Sequence, residues 1–143
     1  MERTRVAGTT LIDTSALLAL ANPRDQHHSK AVEVARQHVR AGGRFLGTAL
    51  VLGEFHAHLL YRAGPARARA VVSSLLRDPL YSWSEVDPET VAAAASAWLE
   101  RFADQKFSLI DAVSFEVMRR HKITTAFAYD QHFRTAGFEL VGR

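Results

Sequence analysis

Apolar and polar positions change period repeatedly along this chain, and the changes divide it into short strands and longer helices. Thr9 to Ile12 is a brief β-rich apolar run, the pattern of a buried strand. It ends at Asp13, after which Thr14 or Ser15 offers an N-cap for a short helix over 16–21, broken by Asn22-Pro23. A second helix is expected over about 29–41, stopped by Gly42-Gly43. "RFLGT" reads as a second strand, with Thr48 capping a helix over 49–63, and Gly64-Pro65 separates that from another reaching about 77. "LYSWSEV" is the third expected strand, closed by Asp87-Pro88, an N-cap followed by proline at the first helical position. One continuous helix is expected from there to about 103. After the loop "DQKF", Ser108 opens a helix that reaches His121; "ITTAFAYD" is a fourth strand and "FELV" a fifth. Strands alternating with helices predict an α/β domain with a largely parallel sheet, whose ligands gather at the carboxyl ends of the strands.

Two aspartates fall at that edge. Asp13 closes the first expected strand and Asp130 the fourth. Either alone is read equally well as a helix cap or turn former. Asp111 has its own local explanation, because "SLID" matches a capping box with Ser108 as the cap. It also heads the helical row continued by Phe115 and Met118, which points it toward the core, while Glu116, Arg119, Arg120 and Lys122 are expected on the charged face. Glu54 borders the apolar arc of Val51, Leu52, Phe55 and Leu59, where a solvated glutamate is the ordinary reading. Asp104 reads as a loop acid. If several of these carboxylates converge, each pair about 5 Å apart repels by roughly 3 kcal/mol at an effective dielectric near 20. Protonation or a cation is then required, and all-oxygen ligands suit Mg²⁺ or Mn²⁺. Such ions organise phosphates and activate water for attack on a phosphodiester.

Composition narrows the choice. The chain has 143 residues, the size of one domain, and buries enough surface for a core without staples. It has no cysteine, so disulfide frameworks and zinc–thiolate sites are excluded. The net charge is +3, with 15 Arg against 3 Lys, which permits nucleic-acid binding without requiring it. Arg3 and Arg5 precede an apolar stretch in the manner of a signal peptide, but Asp13 interrupts it, and no window is long enough for a membrane helix. A cytoplasmic location is expected.

"LIDTSALLAL", "GEF", "FSLIDAVSFEVM" and "AFAYDQHF…GFEL" together resemble a PIN-domain nuclease, most closely the VapC-type toxin ribonucleases of bacterial toxin–antitoxin pairs. The likeness runs over nearly the whole chain and implies one α/β/α sandwich with a central, mainly parallel sheet over residues 1–143. It implies an Mg²⁺- or Mn²⁺-dependent endoribonuclease that leaves 5′-phosphate and 3′-hydroxyl ends. By position, Asp13, Glu54, Asp111 and Asp130 are the catalytic metal ligands, Asp104 is an additional acid, and Ser15 is a hydroxyl that holds the pocket. Ser108 stands beside them as the cap of the Asp111 helix. Ala128 departs from the Thr or Ser found in many relatives two residues before the last acid. A homodimer, an RNA substrate and an antitoxin that places a segment across the acids are also implied. RNA-contacting residues are not indicated.

Two rivals remain. A phosphoacceptor receiver domain needs a lysine near the end of the last strand, and none is there. A non-catalytic PIN-like module for RNA or protein is the second. Among the seven histidines, His56 and His58 are two apart on a helix and are expected to diverge, and His27-His28 reads as solvated. His132 is read as packing in its turn, with substrate contact as the alternative. "RAGPARARA" and "RRHK" supply Arg62, Arg67, Arg69, Arg119, Arg120 and Lys122, which fit either solvated helix faces or an RNA backbone track.

Overall fold

A computed structural model describes residues 8–142. The segment with Arg3 and Arg5 lies outside the described residues. Five strands, β1 (Thr9–Ile12), β2 (Arg44–Thr48), β3 (Tyr81–Ser84), β4 (Thr125–Phe127) and β5 (Glu139–Val141), form one sheet in the order β3-β2-β1-β4-β5. Every pairing is parallel. The chain winds outward in one direction from β1 and in the other from β4, so the order reverses between those two strands. That is where an open α/β sheet leaves a crevice.

Strand alternation explains the layers. Successive side chains point to opposite faces, so Leu11, Leu46 and Ala126 join one buried cluster with Trp98, Phe115 and Met118. Their neighbours Ile12, Phe45 and Phe127 join the other with Leu17, Phe55 and Leu59. Helices α1 (Thr14–Ala21), α2 (His28–Arg40), α3 (Ala49–Ala63) and α4 (Pro65–Arg77) supply the second cluster. The first is covered by α5 (Pro88–Ala94), α6 (Leu109–His121) and α7 (His132–Thr135). This is the expected three-layer arrangement.

Several boundaries differ from expectation, each for a local reason. The first helix begins at Thr14, so Asp13 occupies the cap position, and its side chain makes no capping bond. Its backbone carbonyl accepts from Ala16 and Leu17 instead. β4 is only three residues long, and Asp130 lies in a bend beyond it rather than closing the strand. There the Tyr129 N–H leaves the ladder and donates to Ser15 Oγ at 3.0 Å. The helix expected over 88–103 is capped as predicted, Asp87 Oδ1 accepting from Thr90 N–H at 2.7 Å. It then widens into a π-helical segment, Ala95–Glu100, and ends in turns. The short α7 was not foreseen.

Glu116 requires the largest correction. It is not on a charged face: it is 1 % exposed, within a stretch of α6 buried from Asp111 to Met118. Its carboxylate accepts from Trp98 Nε1–H (3.3 Å), Arg119 Nε–H (3.1 Å) and Nη2–H (2.6 Å), and Arg120 Nε–H (2.8 Å). No helix among the described residues is long and apolar enough to cross a membrane.

Candidate active site

The crevice at the β1–β4 switch is an open cleft of about 330 Å³. Asp13, Glu54, Asp111 and Asp130 all line it, together with Ser15 and Ser108. Each arrives by a different route. β1 delivers Asp13 into the cleft, and the Asp13 N–H donates to Phe127 O at 3.0 Å, tying the end of β1 to the end of β4. Asp130 follows β4 and accepts the His132 N–H at 2.9 Å, a local turn of the kind aspartate favours. Asp111 does form the predicted capping box: its N–H donates to Ser108 Oγ and its Oδ2 accepts from Ser108 N–H, both at 3.0 Å. Capping does not withdraw it from the cleft. Glu54 stands half-buried on α3. Asp104 lies elsewhere, exposed in the turns after the π segment, with Gln105 Nε2–H donating to it at 3.4 Å.

Ser15 acts as a joint between the two halves of the site. Its Oγ–H donates to Asp13 Oδ2 at 3.1 Å while the same oxygen accepts from Tyr129. The aspartate that ends β1 and the loop that carries Asp130 are therefore held by one hydroxyl. Ala128 is fully buried.

Three cationic or basic side chains in the cleft were not assigned there from sequence: His58, Lys106 and His132. His58 lies one turn after Glu54, a spacing that places both on one face and offered a signal. His132 Nδ1–H donates to Asp111 Oδ2 at 2.9 Å and stands 3.9 Å from Asp130 Oδ1. It is more than a packing residue of its turn.

The electrostatics follow from crowding. Asp13 is 5 % exposed, and burial pushes its carboxyl up to about 7, with the nearby Asp130 and Asp111 charges adding to the effect. The hydrogen bonds from Thr14 and Ser15 oppose it. Among the described residues, no arginine lines the cleft. Donor atoms of Asp111, Asp130 and His132 all fall within 4.8 Å of one another. A buried carboxylate so strongly opposed to ionisation, facing two others, fits a bound divalent cation, and oxygen-rich ligands favour hard ions such as Mg²⁺ or Mn²⁺.

An acid-lined crevice at the reversal of a 3-2-1-4-5 parallel sheet, between two helical layers, is the architecture of a PIN domain. The PIN domain family model matches residues 10–139, and the chain belongs to that family. It is 32 % identical over 127 residues to the 23S rRNA-specific endonuclease VapC20 of Mycobacterium tuberculosis, covering 89 % of this chain and 93 % of the relative. The crystal structure of VapC20, described as a sarcin–ricin loop cleaving toxin, superposes with a TM-score of 0.81 at 30 % identity, covering 90 % of this chain and 95 % of that one. FitAcB from Neisseria gonorrhoeae (TM-score 0.66, 14 % identity) and a toxin–antitoxin complex from Klebsiella pneumoniae (0.60, 16 %) share the fold, each over 92 % of this chain and 95 % of the other.

Proposed function

We propose that this chain is a divalent-metal-dependent endoribonuclease, the toxin of a type II toxin–antitoxin pair, working as a single PIN domain. By its likeness to VapC20, the substrate is a loop of 23S ribosomal RNA. The observation that carries the reading is the convergence of Asp13, Asp111 and Asp130 in one cleft, with donor atoms of Asp111, Asp130 and His132 within 4.8 Å of one another.

In this reading Asp13, Asp111 and Asp130 hold the Mg²⁺ or Mn²⁺, with Glu54 completing the acidic wall. The bound ion supplies Lewis acidity that activates water and stabilises the leaving 3′-oxygen. The protein's own part is preorganisation. Ser15 fixes the Asp13 rotamer, Ser108 fixes Asp111 through the capping box, and His132 bridges toward both Asp111 and Asp130. Lys106 and His58 at the cleft wall give an anionic backbone a favourable approach to an otherwise repulsive site. Asp104 is not part of this wall. A homodimer and a cognate antitoxin that sets a basic side chain among the acids complete the proposal.

The test is RNA cleavage by the purified protein with Mn²⁺ or with EDTA, using 23S ribosomal RNA and mapping the ends. Metal-dependent cleavage at a discrete site is expected. Asp13→Asn and Asp111→Asn should slow it on the order of 10³-fold or more, while the metal-free variants melt no lower than wild type. Cleavage that persists in EDTA, or variants that simply unfold, would sink the reading. A folded, metal-binding protein with no cleavage would favour the non-catalytic module.

A further inference from the structure

Beside the acidic cleft lies a second groove of about 390 Å³ with the opposite character. Arg24, Arg62 and Arg67 line it, all three exposed, and among the described residues no carboxylate does. Among the described residues, no ion pair uses any of them. Their convergence has a local cause. Gly64, at φ 86°, ends α3 and begins α4 in a single residue, with Pro65 at the first helical position. That tight corner folds Arg62 and Arg67 onto the same groove. Arg67 Nη2–H donates to Ala21 O at 3.2 Å, which fastens α4 to the end of α1. Arg24 comes from the loop beyond α1, where its N–H donates to Asn22 Oδ1 at 3.0 Å.

The two grooves are neighbours with a common wall residue, since Leu18 lines both. Helix α1 joins them: Asp13 stands at its start and Asn22 at its end, and its eight residues span about 12 Å. Guanidinium groups match phosphate oxygens in a bidentate fork.

We propose that this arginine groove binds the sugar–phosphate backbone of the same RNA strand whose scissile bond sits in the acidic cleft, a few nucleotides along from the cut. The inference rests on the ribonuclease reading, since it takes RNA as the occupant of the cleft. Each phosphate neutralised contributes about 0.7 to the dependence of log Kd on log salt for a single strand. The groove therefore sets affinity and strand path, while the acids set the chemistry.

The experiment measures binding of a fluorescein-labelled RNA stem-loop to the full chain in EDTA, where cleavage is suppressed, across a series of salt concentrations. Arg24→Gln with Arg62→Gln removes two charges, neither of which makes a side-chain bond within the described fold. The salt slope should fall by about 1.4, with weaker binding at every salt concentration. Arg36→Gln, an exposed arginine of α2 outside the groove, should leave the slope as it is. Arg67→Lys should keep the slope and Arg67→Gln lower it by about 0.7, separating charge from the bond to Ala21. An unchanged slope in the double variant overturns the inference and leaves the groove to a protein partner. The wild type's Mn²⁺-dependent cleavage is read separately. A protein that cleaves RNA but shows no slope change refutes the groove alone. One that shows the slope change without cleavage refutes the nuclease reading alone.

Discussion

Helix α6 carries two buried carboxylates five residues apart, and the protein treats them in opposite ways. Glu116, 1 % exposed, is surrounded by donors: Arg119, Arg120 and the Trp98 indole all reach it. The Arg119 hydrogen bonds in particular hold its carboxyl down at about 2, with Arg120 and Trp98 adding to the effect against the cost of burial. Asp111, 8 % exposed, faces a cleft whose other acids include Asp13 and Asp130; it accepts from Ser108 N–H and His132, and among the described residues no arginine lines the cleft. The cost appears on Asp13, whose carboxyl is driven up to about 7 chiefly by burial, with the Asp130 and Asp111 charges adding to it. A carboxylate supplied with internal counter-charges is part of the scaffold. One set among other acids, with a backbone N–H and a histidine as its donors, suits a cation from outside.

The comparison can be broken most severely through pH. The raised Asp13 pKa means that the native state holds a proton the unfolded chain has released between about pH 4 and 7. Metal-free stability should therefore fall as pH rises through that window, by on the order of 4 kcal/mol. Chemical denaturation in EDTA at pH 4.5 and 7.5 measures it, and Asp13→Asn or saturating Mn²⁺ should flatten the curve. Glu116 has the opposite sign: its contribution is complete above its ordinary carboxylate range and is lost only as pH falls toward 2.

A smaller effect comes from the other side of the comparison. Glu116→Gln removes the charge that two arginines share, and should cost about 2 kcal/mol in any metal condition. The loss stays moderate because Arg119 and Arg120 side chains are 60 % and 41 % exposed and can turn into water. Cleavage per folded molecule should be retained. If Glu116→Gln instead abolished cleavage at full stability, the division between scaffold and site would be wrong.

The finest probe is Ser15→Ala. It removes one acceptor from Tyr129 and the donor that favours ionised Asp13, for a loss of about 1 kcal/mol. The Asp13 titration should move further upward, followed by NMR of the side-chain carboxyl, and Mn²⁺ should bind more weakly. An unmoved titration would remove Ser15 from the site's electrostatics.

Much of this was legible in the chain itself. The apolar runs Thr9 to Ile12 and "RFLGT" marked strands, and the pairs Gly64-Pro65 and Asp87-Pro88 marked where helices end and begin. Strand ends and the helical row pointed Asp13, Asp130 and Asp111 toward one edge, but Glu54 read as solvated on position alone, and the four were legible as a set only through the resemblance to PIN-domain nucleases. Glu116 was not, since its burial depends on Trp98, eighteen residues earlier and brought in by a π-helical segment with no periodic signature. His132 was missed for a similar reason. A histidine two residues past an aspartate reads as turn filler until α7 folds it back on Asp111. The arginines of "RAGPARARA" were indistinguishable on spacing alone; the Gly64 corner selects Arg62 and Arg67 for the groove and leaves Arg69 out of it.

The Ser15 hydroxyl closes a bridge between positions 114 residues apart, joining the first corner of the chain to nearly its last. Synthesis proceeds from one end, so the ribosome releases Asp13 long before it has made the loop that must meet it. A growing copy therefore has no complete acidic nest to offer a metal until the loop with Tyr129 and Asp130 has been made. The order of the strands thus makes this acidic nest one of the last features of the fold to be completed.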